Sequence, residues 1–179
     1  MISDQARRSI EQIFIKAAKA RLVLDSGDFC DVAPLGGDKA GEMPEKNIVV
    51  LTISSILFRL LLIFHVDESP TTRAYFVRDA GDKSFAEVFS EIGNLCCGAM
   101  NRELLSHFPD LGMSTPTLLS SRCVSFLGEL QPGYLARFAI TINGAVELHA
   151  SICLSGYAPL DFAVDLCVAE EETGVLEMF

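Results

Sequence analysis

Apolar side chains recur at Ala6, Ile10, Ile13, Phe14 and Ala17 within residues 3–21, the three-and-four spacing that builds one stripe along an α-helix. A short strand is expected over Phe29–Ala33. Residues 34–46, with three glycines and two prolines, read as a loop. The next segment, Ile48–Val66, is 19 residues long and mostly apolar, just enough to cross a bilayer. Arg59 falls near its middle, and Thr52, Ser54 and Ser55 interrupt it. Two buried strands joined by a tight turn fit this pattern better than a membrane span.

The second half repeats this order. Residues 70–83 form a mixed connector with a short edge strand at Arg73–Val77. Ser84 is placed to cap a helix, with Glu87 three residues on as its capping-box partner. That helix runs to about Phe108, where Pro109 and Gly112 stop it. Three strands are expected afterwards, at Arg122–Leu127, Tyr134–Ile142 and Val146–Leu154, and Asn143-Gly144 marks a hairpin between the last two. Beyond Pro159 one short helix is expected. The element order predicts an α+β fold within one domain spanning 1–179. Duplicated helix–three-strand units, about 3–66 and 84–154, would form one continuous, mainly antiparallel sheet covered by two long helices. An acidic tail covers about 165–179.

Composition narrows the function. Half of the 179 residues are apolar and 21% are charged, which suits a packed core rather than disorder. The formal charge of −10 opposes nucleic acid or an anionic membrane as partner, and with it a stacking role for Phe126, Tyr134 and Phe138. No basic residue follows Arg137, and seven acids do. The six cysteines show no Cys-x-x-Cys spacing; Cys30, Cys96, Cys97, Cys123, Cys153 and Cys167 read as small buried hydrophobes of a reducing compartment. With no export signal at the start, a cytoplasmic protein is expected. His65, His107 and His149 lack metal-ligand spacing, and no serine carries a nucleophile signature, so no cofactor of its own is expected.

The helix beginning at Ser84 is where chemistry concentrates. At 100° per residue, Phe85, Val88, Phe89, Leu95, Cys96 and Ala99 lie within about 60° of Ile92 and form the expected buried stripe. Glu87, Glu91, Asn94, Gly98 and Asn101 occupy the opposite side. Asparagine and glycine weaken helix interiors, glycine by about 1 kcal/mol relative to alanine, so this face carries residues that its helix does not favour. Gly98 removes a side chain beside Asn94 and allows a close approach. Gly93 either does the same or eases packing.

Glu91-x-x-Asn94, then Gly98, then Pro116 some twenty residues on, resembles the signature of CheC/CheX-type chemotaxis phosphatases, and the helix–three-strand order resembles the same family and its flagellar motor-switch relatives. The resemblance implies that Glu91 pairs with a lysine of a phosphorylated CheY-type response regulator, and that the Asn94 amide orients water against the aspartyl phosphate. It implies supporting or partner-binding roles for Glu87, Gly98 and Pro116. Asn101 joins them as a neighbour on that face. Magnesium would be supplied by the regulator. Active members usually carry aspartate or serine where this chain has Glu87. The first helix offers Glu11 followed by Phe14 and so lacks the amide. A single site resembles the CheX-like branch, commonly dimeric, which implies a homodimer. The alternatives are a noncatalytic module of this fold that binds a regulator or flagellar switch component, and a signalling scaffold.

Overall fold

A computed structural model describes residues 1–36, 44–66, 68–78 and 80–164. The acidic tail, Cys167 and most of the glycine-rich loop lie outside the described residues. Helix α1 spans Asp4–Arg21, starting at Ser3, whose hydroxyl accepts from the Ala6 amide. Strands β1 (Cys30–Pro34), β2 (Asn47–Ser54) and β3 (Phe58–Val66) follow. After them come α2 (Pro70–Val77), α3 (Phe85–Leu105), β4 (Gly112–Met113) and β5 (Thr117–Ser120). A 3₁₀ helix at Ser121–Leu130 leads to β6 (Tyr134–Ile142) and β7 (Val146–Gly156).

Every strand pairing is antiparallel, in the order β1-β6-β7-β3-β2-β4, with β5 also on β2. The apolar run thus splits into the β2–β3 hairpin, with Ser54 paired to Arg59 beside the turn. Asn143 and Gly144 turn the β6–β7 hairpin at φ 53° and 66°, a left-handed pair that asparagine and glycine tolerate best. Alternate side chains fill one sheet face: Leu51 and Ile53, Leu60, Leu62 and Phe64, Phe138 and Ile140, Leu148, Ala150 and Ile152. Helices α1 and α3 pack on it and on each other, closing the main core. No helix among the described residues is long and apolar enough to cross a membrane.

Several local expectations fail, each for a packing reason. Arg73–Val77 lies in a helix, not a strand: Ser69 caps α2, Pro70 starts it, and Thr72 and Phe76, four apart, share its buried side. Phe76 meets Phe85 and Phe89 at 6.4 and 5.4 Å between ring centres. Arg122–Leu127 also coils. The free edge of β2 is already taken by β4 and β5, and three-residue spacing in the 3₁₀ helix brings Val124 and Leu127 onto Ile48, Ile63 and Cys153, covering part of the sheet's outer face. No helix forms over 160–164; Leu160 instead makes a parallel bridge to Ile2. Among the described cysteines, Cys30, Cys96, Cys97 and Cys153 are buried and free as expected, but Cys123 is exposed on the 3₁₀ helix.

Candidate functional site

The polar face of α3 is held from its first turn. Ser84 and Glu87 complete a capping box: the Ser84 hydroxyl accepts from the Glu87 amide at 3.3 Å, and the Glu87 carboxylate accepts from the Ser84 amide at 2.8 Å. The Ser84 hydroxyl also donates to Glu87 at 2.7 Å. These bonds from Ser84, side chain first and backbone second, hold the Glu87 carboxyl below its ordinary pKa. Glu87 is therefore occupied with starting the helix.

Packing then fixes the helix's rotation. Phe85, Phe89, Ile92, Cys96 and Met100 are buried, and Phe89 meets Phe64 edge-on at 5.9 Å. Gly93 and Cys97 are buried as well, so the buried stripe is wider on that flank than the helical wheel predicted. A Cβ on Gly93 would stand 3.4 Å from both Leu51 and Phe64, so this glycine serves close packing on the sheet. The stripe is correspondingly narrower on the other flank. Leu95, expected in the core, is 57% exposed, because the sheet and α1 pack against the side of α3 away from it.

Glu91, Leu95 and Gly98 consequently line one edge of an open face, each within a helical turn of the next. Asn94 stands one turn beyond Glu91, half-buried, its side chain without a hydrogen bond to another described residue. Its amide keeps donor and acceptor capacity for an external group. Nothing lies within 4 Å of the position a Gly98 Cβ would take. Asn101 behaves differently: it is half-buried, and its Oδ1 is covered without a hydrogen-bond partner among the described residues. Pro116 is half-buried immediately before β5. The loop before it is pinned to β2 by reciprocal bonds of 2.9 Å, Thr52 amide to Ser114 hydroxyl and Ser114 amide to Thr52 carbonyl. That loop joins β4 and β5, both of which contact α3.

One contact at this face was missed by the sequence pattern. Lys83 Nζ lies 2.9 and 3.0 Å from the two carboxylate oxygens of Glu91. Continuing the helical wheel backwards would have placed Lys83 about 180° from Ile92, among the polar residues, although it precedes the cap.

The corresponding part of α1 offers no such face. Phe14 is fully buried, 4.7 Å from Phe138 and 6.5 Å from Phe64 between ring centres. Glu11 accepts a hydrogen bond from the Tyr134 hydroxyl, and the Arg7 guanidinium lies over the Tyr134 ring.

Two of the histidines sit on the sheet in a polar cluster of their own. His65 is fully buried with Nε2 3.0 Å from the Ser151 hydroxyl, and burial lowers its pKa to about 4. His149 Nδ1 lies 2.6 Å from the Glu45 carboxylate. Burial works to raise the Glu45 pKa, but the His149 bond and charge outweigh it and leave it lowered. Ser151 is itself wholly buried, and His149 alone of this cluster is partly exposed. Among the described residues no group of three or more His, Cys, Asp or Glu could hold a metal ion.

A chain of the Borrelia burgdorferi CheX–CheY–BeF3–Mg2+ complex matches this structure with a TM-score of 0.58 at 9% identity, covering 83% of this chain and 97% of that one. This chain has the CheC/CheX fold. CheX from Vibrio vulnificus matches with a TM-score of 0.51 at 14% identity, over 82% and 97% of the two chains. Thermotoga maritima FliY matches with 0.53 at 13%, over 83% and 88%. At the level of sequence alone, neither a family model nor a curated protein matches the chain. At these identities the likeness is one of fold.

Proposed function

We propose that the protein is a phosphatase for the aspartyl phosphate of a CheY-type response regulator. The observation that carries this reading is the pairing of Glu91 and Asn94 on the open face of a rigid helix, beside the empty space at Gly98, in a CheX-like fold. Glu91 docks to a regulator lysine. Charge pairing there sets register more than it adds affinity. Leu95 adds an apolar contact next to it.

Asn94 holds the attacking water. A neutral amide binds water without repelling the phosphate, which a carboxylate at this position would do. Hydrolysis of an acyl phosphate needs an in-line nucleophile and stabilised oxygen charge, with little else from the protein. Water oxygen bonds to phosphorus, the bond between phosphorus and the aspartyl oxygen breaks, and the regulator's carboxylate leaves with dihydrogen phosphate. Magnesium belongs to the regulator. The chain acts as a homodimer in the cytoplasm in this reading.

A second reading, a noncatalytic module that binds a regulator or flagellar switch component, is favoured by Glu87. Its carboxylate is engaged in the helix cap, and it replaces the aspartate or serine of active relatives. Phosphate release from each phosphorylated regulator of the source cell separates the two. Release faster than the regulator's own decay is expected; phosphorylation-dependent binding with unchanged decay would leave only the binding module.

A further inference from the structure

We propose that Lys83 is an internal counter-ion that an incoming partner must displace from Glu91, so that it sets docking affinity without entering the chemistry. The inference rests on reading Glu91 as a docking carboxylate.

Both oxygens of Glu91 lie within 3.0 Å of one ammonium group, so a partner cation seeking that carboxylate meets an occupied site. Lys83 comes from the turn before α3 rather than from the helix itself. Its amide donates to the Ala80 carbonyl at 3.2 Å, and the Ala80 amide donates to Val77 at 3.1 Å. Gly81, at φ 60°, supplies the left-handed residue that this turn requires. The turn thus hangs on the end of α2, whose Phe76 packs on Phe85 and Phe89. The same aromatic cluster joins α2, which carries this turn, to the start of α3, which carries Glu91.

The pair is nevertheless open to exchange. The side chains are 53% and 62% exposed, which keeps their attraction in the range of surface ion pairs. Glu87, one turn from Glu91 on the same face, does not compete for Lys83 at hydrogen-bond range because its carboxylate is engaged with Ser84. A partner lysine or arginine that reaches Glu91 replaces Lys83, whose ammonium returns to water. Only a partner with a cation placed as closely as Lys83 recovers the lost contact, so this arrangement favours a matched docking surface over a merely basic one.

The test measures binding of a beryllofluoride-activated receiver domain, and phosphate release from the phosphorylated one, for wild type, Lys83→Met, Glu91→Gln and the double variant. Lys83→Met should tighten binding and lower KM about two- to five-fold, with kcat unchanged. In the Glu91→Gln background the same change should do nothing, because the competition runs through that carboxylate. Weaker or unchanged binding in Lys83→Met would overturn the proposal. So would tightening that persists without Glu91, the mark of long-range charge. If receivers bind and Asn94 governs release while Lys83→Met is silent, only the Lys83 assignment fails. If no activated receiver binds wild type, the docking role of Glu91 falls and Lys83 falls with it.

Discussion

Helices α1 and α3 do the same work for the fold and opposite work at the surface. Both lay an apolar stripe on one sheet, and each carries a glutamate, Glu11 or Glu91, whose neighbour three positions on decides how the face is used. In α1 that residue is Phe14, wedged between Phe64 and Phe138, and Glu11 is held by Tyr134. In α3 it is Asn94, its side chain left without a hydrogen bond to any described residue beside the gap at Gly98. One helix spends its position on the core. The other leaves it for a partner, and the comparison teaches that a polar residue is informative where the equivalent position elsewhere is used for packing.

The sharpest way to break this contrast is to remove the ring from α1. Phe14→Ala should destabilise the protein by about 3–5 kcal/mol through lost burial and the cavity left behind. Urea denaturation measures this, and a loss below about 1 kcal/mol would mean that Phe14 is not the core wedge described. Asn94→Ala should leave the denaturation midpoint unchanged or slightly raised, since alanine is the better helix former.

Acidity tests the sheet that both helices cover. His65 carries a folded pKa of about 4 against an ordinary 6.5. The unfolded chain therefore binds the extra proton first, and stability falls as pH drops from about 6.5 towards 4, by about 3 kcal/mol in all. The lowered Glu45 pKa adds its own loss only below about pH 4.5. Denaturation at pH 7 and pH 5 measures the loss above the Glu45 range, and His65→Gln should remove the part that His65 causes.

The smallest change separates stability from docking. Gly98→Ala meets no neighbour, so it should stabilise α3 by up to about 1 kcal/mol while weakening regulator binding through the added methyl group. Gly93→Ala, facing Leu51 and Phe64, should leave regulator binding unchanged. Paired melting and binding titrations check both, and equal effects of the two variants on binding would contradict the assignment of Gly98 to the open face.

The two long helices, the two hairpins and the capping box were legible in the sequence because each has a local cause: apolar spacing, Asn143-Gly144, Ser84 with Glu87. The illegible parts depended on neighbours. Arg73–Val77 became helical because Phe76 had an aromatic cluster to join. Arg122–Leu127 coiled because β5 already held the edge of β2 and the outer sheet face needed a cover. Leu95 could be told from Ile92 only by knowing on which flank α1 and the sheet lie. At the candidate site the polar residues were visible as a face, whereas the Lys83 contact crosses the helix cap, where helical arithmetic formally stops.

The most direct measurement is phosphate release from a phosphorylated regulator by Asn94→Ala, with binding of the same regulator measured alongside. Losing a single positioned hydrogen-bonding group should slow release by about 100-fold or more, while affinity stays within about two-fold of wild type. Release at the wild-type rate, or a loss explained wholly by weaker binding, would contradict a catalytic role for Asn94.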